Sequence, residues 1–310
     1  MSPLFTPRVP QVQTVIGRDV PFSAGLPVAL VECPRDAMQG WERMIPTADK
    51  IRYLKALLRV GFDTLDFGSF VSARAIPQMA DTKEVIAHLE PGQSRTKLLA
   101  IVANFRGAEE AGVYDAIGCL GFPFSVSETF QLRNANKTVD GSLATVEEIQ
   151  TLCLQKEKEL VVYLSMGFGN PYGDPWNEEI VLRWAEALAK LGVKTLSIAD
   201  TVGLASPEQV FSVTDYLIRQ LPECSIGVHL HSTHRHWKAK IEAALEAGCR
   251  RFDGALKGIG GCPMAGDVLV GNMDTELMIP YFREAGLLPE LDVEALKESL
   301  RIAAEIFVKE

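Results

Sequence analysis

Short apolar runs alternate along this chain with longer stretches in which apolar positions recur at helical spacing. The short runs read as strands over Val28–Glu32, Thr64–Phe67, Lys97–Val102, Ala116–Leu120, Leu160–Leu164, Thr195–Ala199, Ser225–His231 and Arg251–Ala255. The stretches between them carry helix signals. Thr47–Val60 opens on Thr47 as an N-cap and stops at Gly61, while Asn177–Leu191 opens with Asn177 and two glutamates, suiting the positive end of a helix dipole, and stops at Gly192. Ser206-Pro207-Glu208 sets a cap and then a proline at the first helical position, before a run to Gln220. Arg235–Ala247 ends at Gly248, and a last helix is expected over Val293–Lys309.

Eight strands that alternate with helices predict a parallel sheet. Eight such units in about 280 residues suit a closed (β/α)8 TIM barrel better than an open doubly wound sheet. The open sheet is further disfavoured because no GxGxxG follows the first strand. Residues 1–26, rich in proline and small polar residues, are expected to form an N-terminal arm, and residues 27–310 one barrel domain with a C-terminal lid loop and helix. No internal repeat, low-complexity segment or linker divides the chain.

A barrel of this kind carries its chemistry at the C-terminal ends of the strands. After the first strand comes Pro34-Arg35-Asp36-Ala37-Met38-Gln39, and the seventh ends in His229-Leu230-His231. Four of the five histidines fall between positions 229 and 236. On a strand His229 and His231 point the same way, so both imidazoles can reach one ion, and Asp36 would complete a set of two histidines and one carboxylate. The alternative is that they are buried, internally satisfied histidines; His234 and His236, beyond the strand, read as surface or helix-start residues. Arg35 is either half of a solvated ion pair or a fixed positive charge for an enolate or carbonyl oxygen. Asp66 and Asp200, near the ends of strands two and six, are placed to orient Arg35 or a metal-bound water, or else to satisfy backbone groups. Cys262 sits in Gly258-Ile-Gly-Gly-Cys-Pro263, either as a free thiol in a flexible loop or as a general acid or base on a mobile lid. The glycine-rich Gly167–Gly173 segment lacks a GK[ST] ending and is not a phosphate loop.

Composition narrows the partners. The chain has 310 residues, 47% hydrophobic and 23% charged, with a net charge of −9, which argues against nucleic acid as a main partner. Its six cysteines form no CxxC pair and read mostly as small buried hydrophobes in a reducing compartment. No apolar run is long enough to span a membrane, and neither a signal-peptide pattern nor a retention tripeptide is present, so the cytoplasm is the expected location.

Val31-Glu32-Cys33-Pro34-Arg35-Asp36-Ala37-Met38-Gln39 resembles the opening signature of the DRE-TIM metallolyases. Further segments resemble the 3-hydroxy-3-methylglutaryl-CoA lyase family within that superfamily. They are Ser69-Phe70-Val71-Ser72 with Pro77–Asp81, Ser127–Phe130 leading to Asn134-Ala135-Asn136, Asn170-Pro171-Tyr172, Ala199–Gly203, Val228–His231, and Gly260–Pro263 with Gly271-Asn272. They cover roughly residues 28–280 in the family's order. The resemblance implies a (β/α)8 barrel; a divalent metal, Mg2+ or Mn2+, held by Asp36, His229, His231 and Asn272; Arg35 as the enolate-stabilising arginine; and Cys262 as the catalytic cysteine on the lid. It also implies an acyl-CoA substrate cleaved to acetyl-CoA and acetoacetate, a role in leucine breakdown, and a homodimer. The chain departs from the family at several points. Asp66 stands where glutamate is usual, which puts a contact with Arg35 at stake, and Ala37 and Met38 stand where glycine and leucine are usual. Ser232-Thr233-His234-Arg235-His236 replaces a segment that begins with an aspartate, so an acid that orients a ligand histidine is expected to be missing. The stretch from Cys262 to Asn272 is one residue longer than usual. Two rival readings are a Claisen-type synthase or aldolase on the same metal site, and a non-catalytic relative that binds acyl-CoA or metal. The Gly-Gly-Cys-Pro lid favours the lyase over the first.

Overall fold

Strands enclosed by helices are buried on both faces, which is why they appear in this sequence as apolar runs rather than as alternation. The computed structural model describes residues 26–90, 92, 94–261 and 270–308. The expected N-terminal arm and Cys262 lie outside the described residues, apart from the arm's last residue.

The strands are β1 (Ala29–Glu32), β2 (Thr64–Ser69), β3 (Lys97–Ile101), β4 (Ile117–Ser125), β5 (Glu159–Ser165), β6 (Thr195–Ala199), β7 (Ser225–His229) and β8 (Arg251–Gly254). Each pairs in parallel with the next, and β8 returns to β1 with Leu30 opposite Phe252 and Glu32 opposite Gly254, so the barrel is closed. Around it lie α1 (Pro34–Gln39), α2 (Thr47–Val60), α3 (Thr82–His88), α4 (Phe105–Gly112), α5 (Glu128–Ala135), α6 (Val139–Gln155), α7 (Glu178–Lys190), α8 (Pro207–Gln220), α9 (Trp237–Glu246), α10 (Thr275–Glu284) and α11 (Val293–Ile306). The TIM barrel expected from the strand pattern is therefore present.

The local signals were obeyed unevenly. Asn177 caps α7 by accepting from the Ile180 amide, and Ser206 with Gln209 forms a reciprocal capping box on α8. Thr47 is instead the first residue of α2: Pro46 is the cap, and the Thr47 hydroxyl donates to Asp81 Oδ2 at 2.8 Å. Strand β4 continues past Leu120 through Gly121 and Pro123 to Ser125, because β5 pairs with it from Cys119 through Ser125. Strand β7 stops at His229; His231 lies beyond it in an isolated antiparallel bridge to Asn272. The segment after β1, which carries no predicted element, is the short helix α1 with Pro34 at its first turn. Helix α9 starts at Trp237 rather than Arg235, with His236 as its cap.

One apolar layer lies between barrel and helices and includes the fully buried Phe62, Phe67, Phe122 and Phe252. A smaller cluster of Leu99, Ile101, Cys119, Val161 and Tyr163 forms a second group. Glu32 is an exception among apolar neighbours. Fully buried at the end of β1, it accepts from the Leu256 amide at 2.8 Å and from the Thr275 hydroxyl at 2.6 Å, tying β1 to the segment after β8 and to the start of α10.

Burial pushes the Glu32 carboxyl up to about 8, against the opposing pull of those two hydrogen bonds. The native chain thus keeps a proton that the unfolded chain, at its ordinary 4.5, gives up, and stability contributed at this site declines as pH rises from 4.5 toward about 8. The Glu32→Gln variant is expected to lack that decline. In urea titrations its midpoint should fall less than that of the parent between about pH 5 and about pH 8; equal falls would show that Glu32 is ionised in the native state.

Candidate metal centre

Helix α1 begins two residues after β1 ends, which delivers Arg35 and Asp36 to the barrel rim in its first turn. Both are buried, at 8% and 6% exposure. Arg35 is held from three sides. Its Nε donates to both oxygens of Asp66, at 3.2 and 3.0 Å, and its Nη2 donates to Asp66 Oδ2 at 2.5 Å. Its Nη1 donates to Asp36 Oδ1 and to Gln39 Oε1, each at 2.9 Å. A guanidinium has five N–H donors, so one N–H on Nη2 has no acceptor among the described residues. The shorter aspartate at position 66 thus keeps its contact with Arg35. Burial opposes the guanidinium charge, but Asp66 and Asp36 outweigh it, and Arg35 holds its proton more tightly than a free arginine. Burial likewise works against the Asp36 charge, yet Arg35, His229 and His231 outweigh it and hold that carboxyl at about 2.

Across the barrel mouth the two histidines converge. The His229 Nδ1 lies 3.2 Å from Asp253 Oδ2, and the His231 Nδ1 lies 3.0 Å from the Val270 carbonyl. Carbonyls and carboxylates only accept, so each Nδ1 carries a hydrogen and each Nε2 is turned to the site. The two Nε2 atoms face each other at 3.3 Å. Two lone pairs cannot share that space without a proton or a cation between them. Burial and the neighbouring His229 pull the His231 pKa down to about 4, so this ring stays neutral at physiological pH.

Asn272 closes the set. Its Nδ2 donates to Asp36 Oδ2 at 2.7 Å and to the Ile259 carbonyl at 2.9 Å, while its buried Oδ1 has no partner among the described residues. Buried carbonyl oxygens are seldom left bare, and this one belongs to an amide whose Nδ2 meets the Asp36 carboxylate and whose backbone bridges His231. Gly260 allows the approach: its φ is +108°, and a Cβ there would run into the Asn272 amide and sit 2.9 Å from the Asp36 carbonyl oxygen. Ligand atoms of Asp36, His229 and His231 lie within 4.8 Å of one another. One carboxylate, two imidazoles and a free amide oxygen fit a divalent cation of the magnesium, manganese or iron kind better than a thiophilic one.

Asp200 stands apart. Its Oδ2 accepts from Lys240 Nζ at 2.7 Å, and the same ammonium donates to the His231 carbonyl at 2.8 Å, so Asp200 acts on the backbone of His231 and not on Arg35. His234 and His236 are exposed. Cys262 lies outside the described residues. Asp253, Lys240 and Gln39 take part in the site although the sequence reading gave them no role. Gln39 had a signal, since it lies one helical turn from Arg35.

Beside these polar groups opens a cavity of about 290 Å3. Arg35, Asp36, His229 and His231 line one side, and apolar groups from Val71, Ile101, Pro123 and Tyr163 contribute to the rest. The sequence profile of the HMGL-like family matches residues 29–302. The chain belongs to the HMGL-like family. Among HMGL-like proteins it is 33% identical to the hydroxymethylglutaryl-CoA lyase of Bacillus subtilis over 85% of this chain and 87% of that one. It is 30% identical to the cytoplasmic 3-hydroxy-3-methylglutaryl-CoA lyase of Rattus norvegicus over 89% and 80% of the two chains. Among solved structures, an HMG-CoA lyase of Acinetobacter baumannii in complex with coenzyme A and 3-methylmalate superimposes with a TM-score of 0.83 at 31% identity, covering 92% of both chains. In this HMGL-like barrel the position after the two histidines is Ser232, whose hydroxyl donates to the Thr233 carbonyl; the acid beside His229 comes from β8 instead.

His231→Ala removes one imidazole and leaves the Arg35–Asp66–Asp36 cluster in place. It is expected to abolish Mn2+ binding in calorimetric titration; an affinity equal to the parent's would refute the ligand assignment.

Proposed function

We propose that this chain cleaves 3-hydroxy-3-methylglutaryl-CoA to acetyl-CoA and acetoacetate by a retro-Claisen reaction, with Mg2+ or Mn2+ held by Asp36, His229, His231 and Asn272. The observation that carries the reading is the convergence of two imidazole Nε2 atoms and the Asp36 carboxylate, which is hydrogen-bonded to an Asn272 with a bare Oδ1, beside an arginine with one N–H to spare. The names of the similar lyases and the coenzyme A in the Acinetobacter complex support the same substrate class.

When bound, the cation supplies Lewis acidity for the tertiary hydroxyl and carbonyl oxygens of the substrate. The chain's own groups account for the rest. A base takes the hydroxyl proton, the bond between the tertiary carbon and the thioester's α-carbon breaks, and its electron pair passes into the thioester as an enolate, while the tertiary carbon becomes the ketone of acetoacetate. Arg35 meets the enolate oxygen with its remaining Nη2 hydrogen. Asp66, by gripping the Nε–Nη2 edge of the guanidinium, fixes that hydrogen's direction before charge develops. The enolate carbon then takes a proton from the Cys262 thiol, giving the methyl group of acetyl-CoA, and the thiolate recovers the proton that the base took from the hydroxyl. The apolar wall of Val71, Ile101 and Pro123 suits the substrate's methyl substituent and excludes water from the enolate. No helix among the described residues is long and apolar enough to cross a membrane. We place the enzyme in the cytoplasm, in leucine breakdown, as a homodimer.

The direct test is incubation with 3-hydroxy-3-methylglutaryl-CoA and Mg2+ or Mn2+, with acetoacetate as the readout. Product is expected, is lost with EDTA, and falls sharply in Cys262→Ser with metal affinity unchanged. Metal binding without product would refute the substrate and direct the search to other acyl-CoA thioesters. Arg35→Lys cannot reproduce the grip on Asp66 together with the free N–H, and is expected to lower kcat by about 10²–10³-fold with a smaller effect on KM. A change confined to KM would move Arg35 to a binding role.

A further inference from the structure

We infer that Asp253 is a positioning residue for His229, holding a hydrogen on Nδ1 and so keeping Nε2 turned to the cation site. The inference rests on the metal-centre reading above and supplies the orienting acid that the segment after His231 lacks. Strand register makes the pairing. His229 on β7 and Asp253 on β8 are opposite one another, which places the two side chains side by side on the same face of the sheet. The Asp253 side chain is fully shielded from solvent, and its Oδ2 accepts from His229 Nδ1 at 3.2 Å and from the Ser197 hydroxyl on β6 at 3.4 Å. A carboxylate accepts and does not donate, so this contact dictates which ring nitrogen bears the hydrogen. Tyr163 packs edge-on against the imidazole, with centroids 5.7 Å apart and planes at 83°, and fixes its tilt.

The charge on Asp253 has a companion built into the same strands. Arg251, two residues earlier on β8, lies opposite Gly227 on β7. A Cβ at position 227 would come within 2.9 Å of Arg251 Cγ and Cδ, so the arginine stem occupies the space a side chain would take there. Its buried Nε and Nη2 have no hydrogen-bond partner among the described residues, and neither has Asp253 Oδ1. Burial opposes the Arg251 charge, but Asp253 and its neighbours outweigh it and hold the guanidinium proton, and Arg251 makes no hydrogen bond to the Asp253 oxygen that His229 uses. Asp253 touches a ligand and not the reacting atoms. Its loss is therefore expected to act on metal affinity first.

Asp253→Asn keeps the shape and removes the fixed acceptor, since an amide can donate to Nδ1 as well as accept from it. With Mn2+ alone as the probe and electron paramagnetic resonance as the readout, this variant is expected to bind about 10–100-fold more weakly than the parent, with an unchanged circular dichroism spectrum. In the metal-free parent, nitrogen-15 shifts should show His229 Nδ1 protonated. In the variant they should show a mixture of tautomers. Parent-like Mn2+ affinity in both Asp253→Asn and Asp253→Ala, while His231→Ala binds none, would overturn the role of Asp253 and leave the metal centre standing. An unprotonated Nδ1 in the parent would overturn it even if the variants fail to fold. A parent chain that binds no Mn2+ would remove the metal centre and this inference together.

Discussion

The grip of Asp66 on Arg35 is the constraint from which the site is built. Arg35 and Asp36 are neighbours in sequence, so nothing in the backbone alone tells their side chains apart in role. One edge of the guanidinium, Nε with Nη2, is taken by Asp66, and the two Nη1 hydrogens by Asp36 and Gln39. This splits their duties: Asp66 neutralises and aims the arginine, while Asp36 keeps its second oxygen for Asn272 and the cation site. Bidentate contacts of this kind fix direction as well as charge. Without Asp66, the buried arginine would draw on Asp36 alone, and the carboxylate proposed as a metal ligand would be consumed by an ion pair.

The histidine side of the site follows the same logic with different chemistry. Each ring is held at Nδ1 by an acceptor of fixed identity, one a carboxylate and one a backbone carbonyl. The backbone of His231 is in turn held by Lys240, whose charge is balanced by Asp200. Four buried charges, at Arg35, Asp66, Lys240 and Asp200, therefore flank the ligand set without entering it. Burying charge in pairs is costly in stability, but it leaves little freedom for the groups between them.

Much of this was legible in the chain itself. Periodicity and the strand count identified the barrel because a sheet buried on both faces leaves an unambiguous apolar run, and the strand-end rule led to Arg35, Asp36, His229 and His231. Termination was harder to read. Gly121 and Pro123 look like turn residues, yet β4 passes through them because β5 is there to pair with. His231 was read as strand because it alternates with His229, whereas its backbone bridges Asn272. Asp253 was hidden for a different reason. It lies inside a predicted strand, and its partner becomes visible only when β7 and β8 are set in register. The serine at position 232 could be seen in sequence; the acid that meets His229 from the next strand could not.

The first and last strands meet where the barrel closes, and Asp36 and Asn272 lie on the two sides of that seam, 236 residues apart and joined by one hydrogen bond. The ligand set is therefore divided between the two ends of the circle. Contacts of such long range form only after the intervening chain is in place. An ion held by Asp36, His229, His231 and Asn272 would thus report completed closure: a nascent barrel still without its last strand would lack the Asn272 side of the set, and an ion in the full set would hold the seam shut with the free energy of its binding.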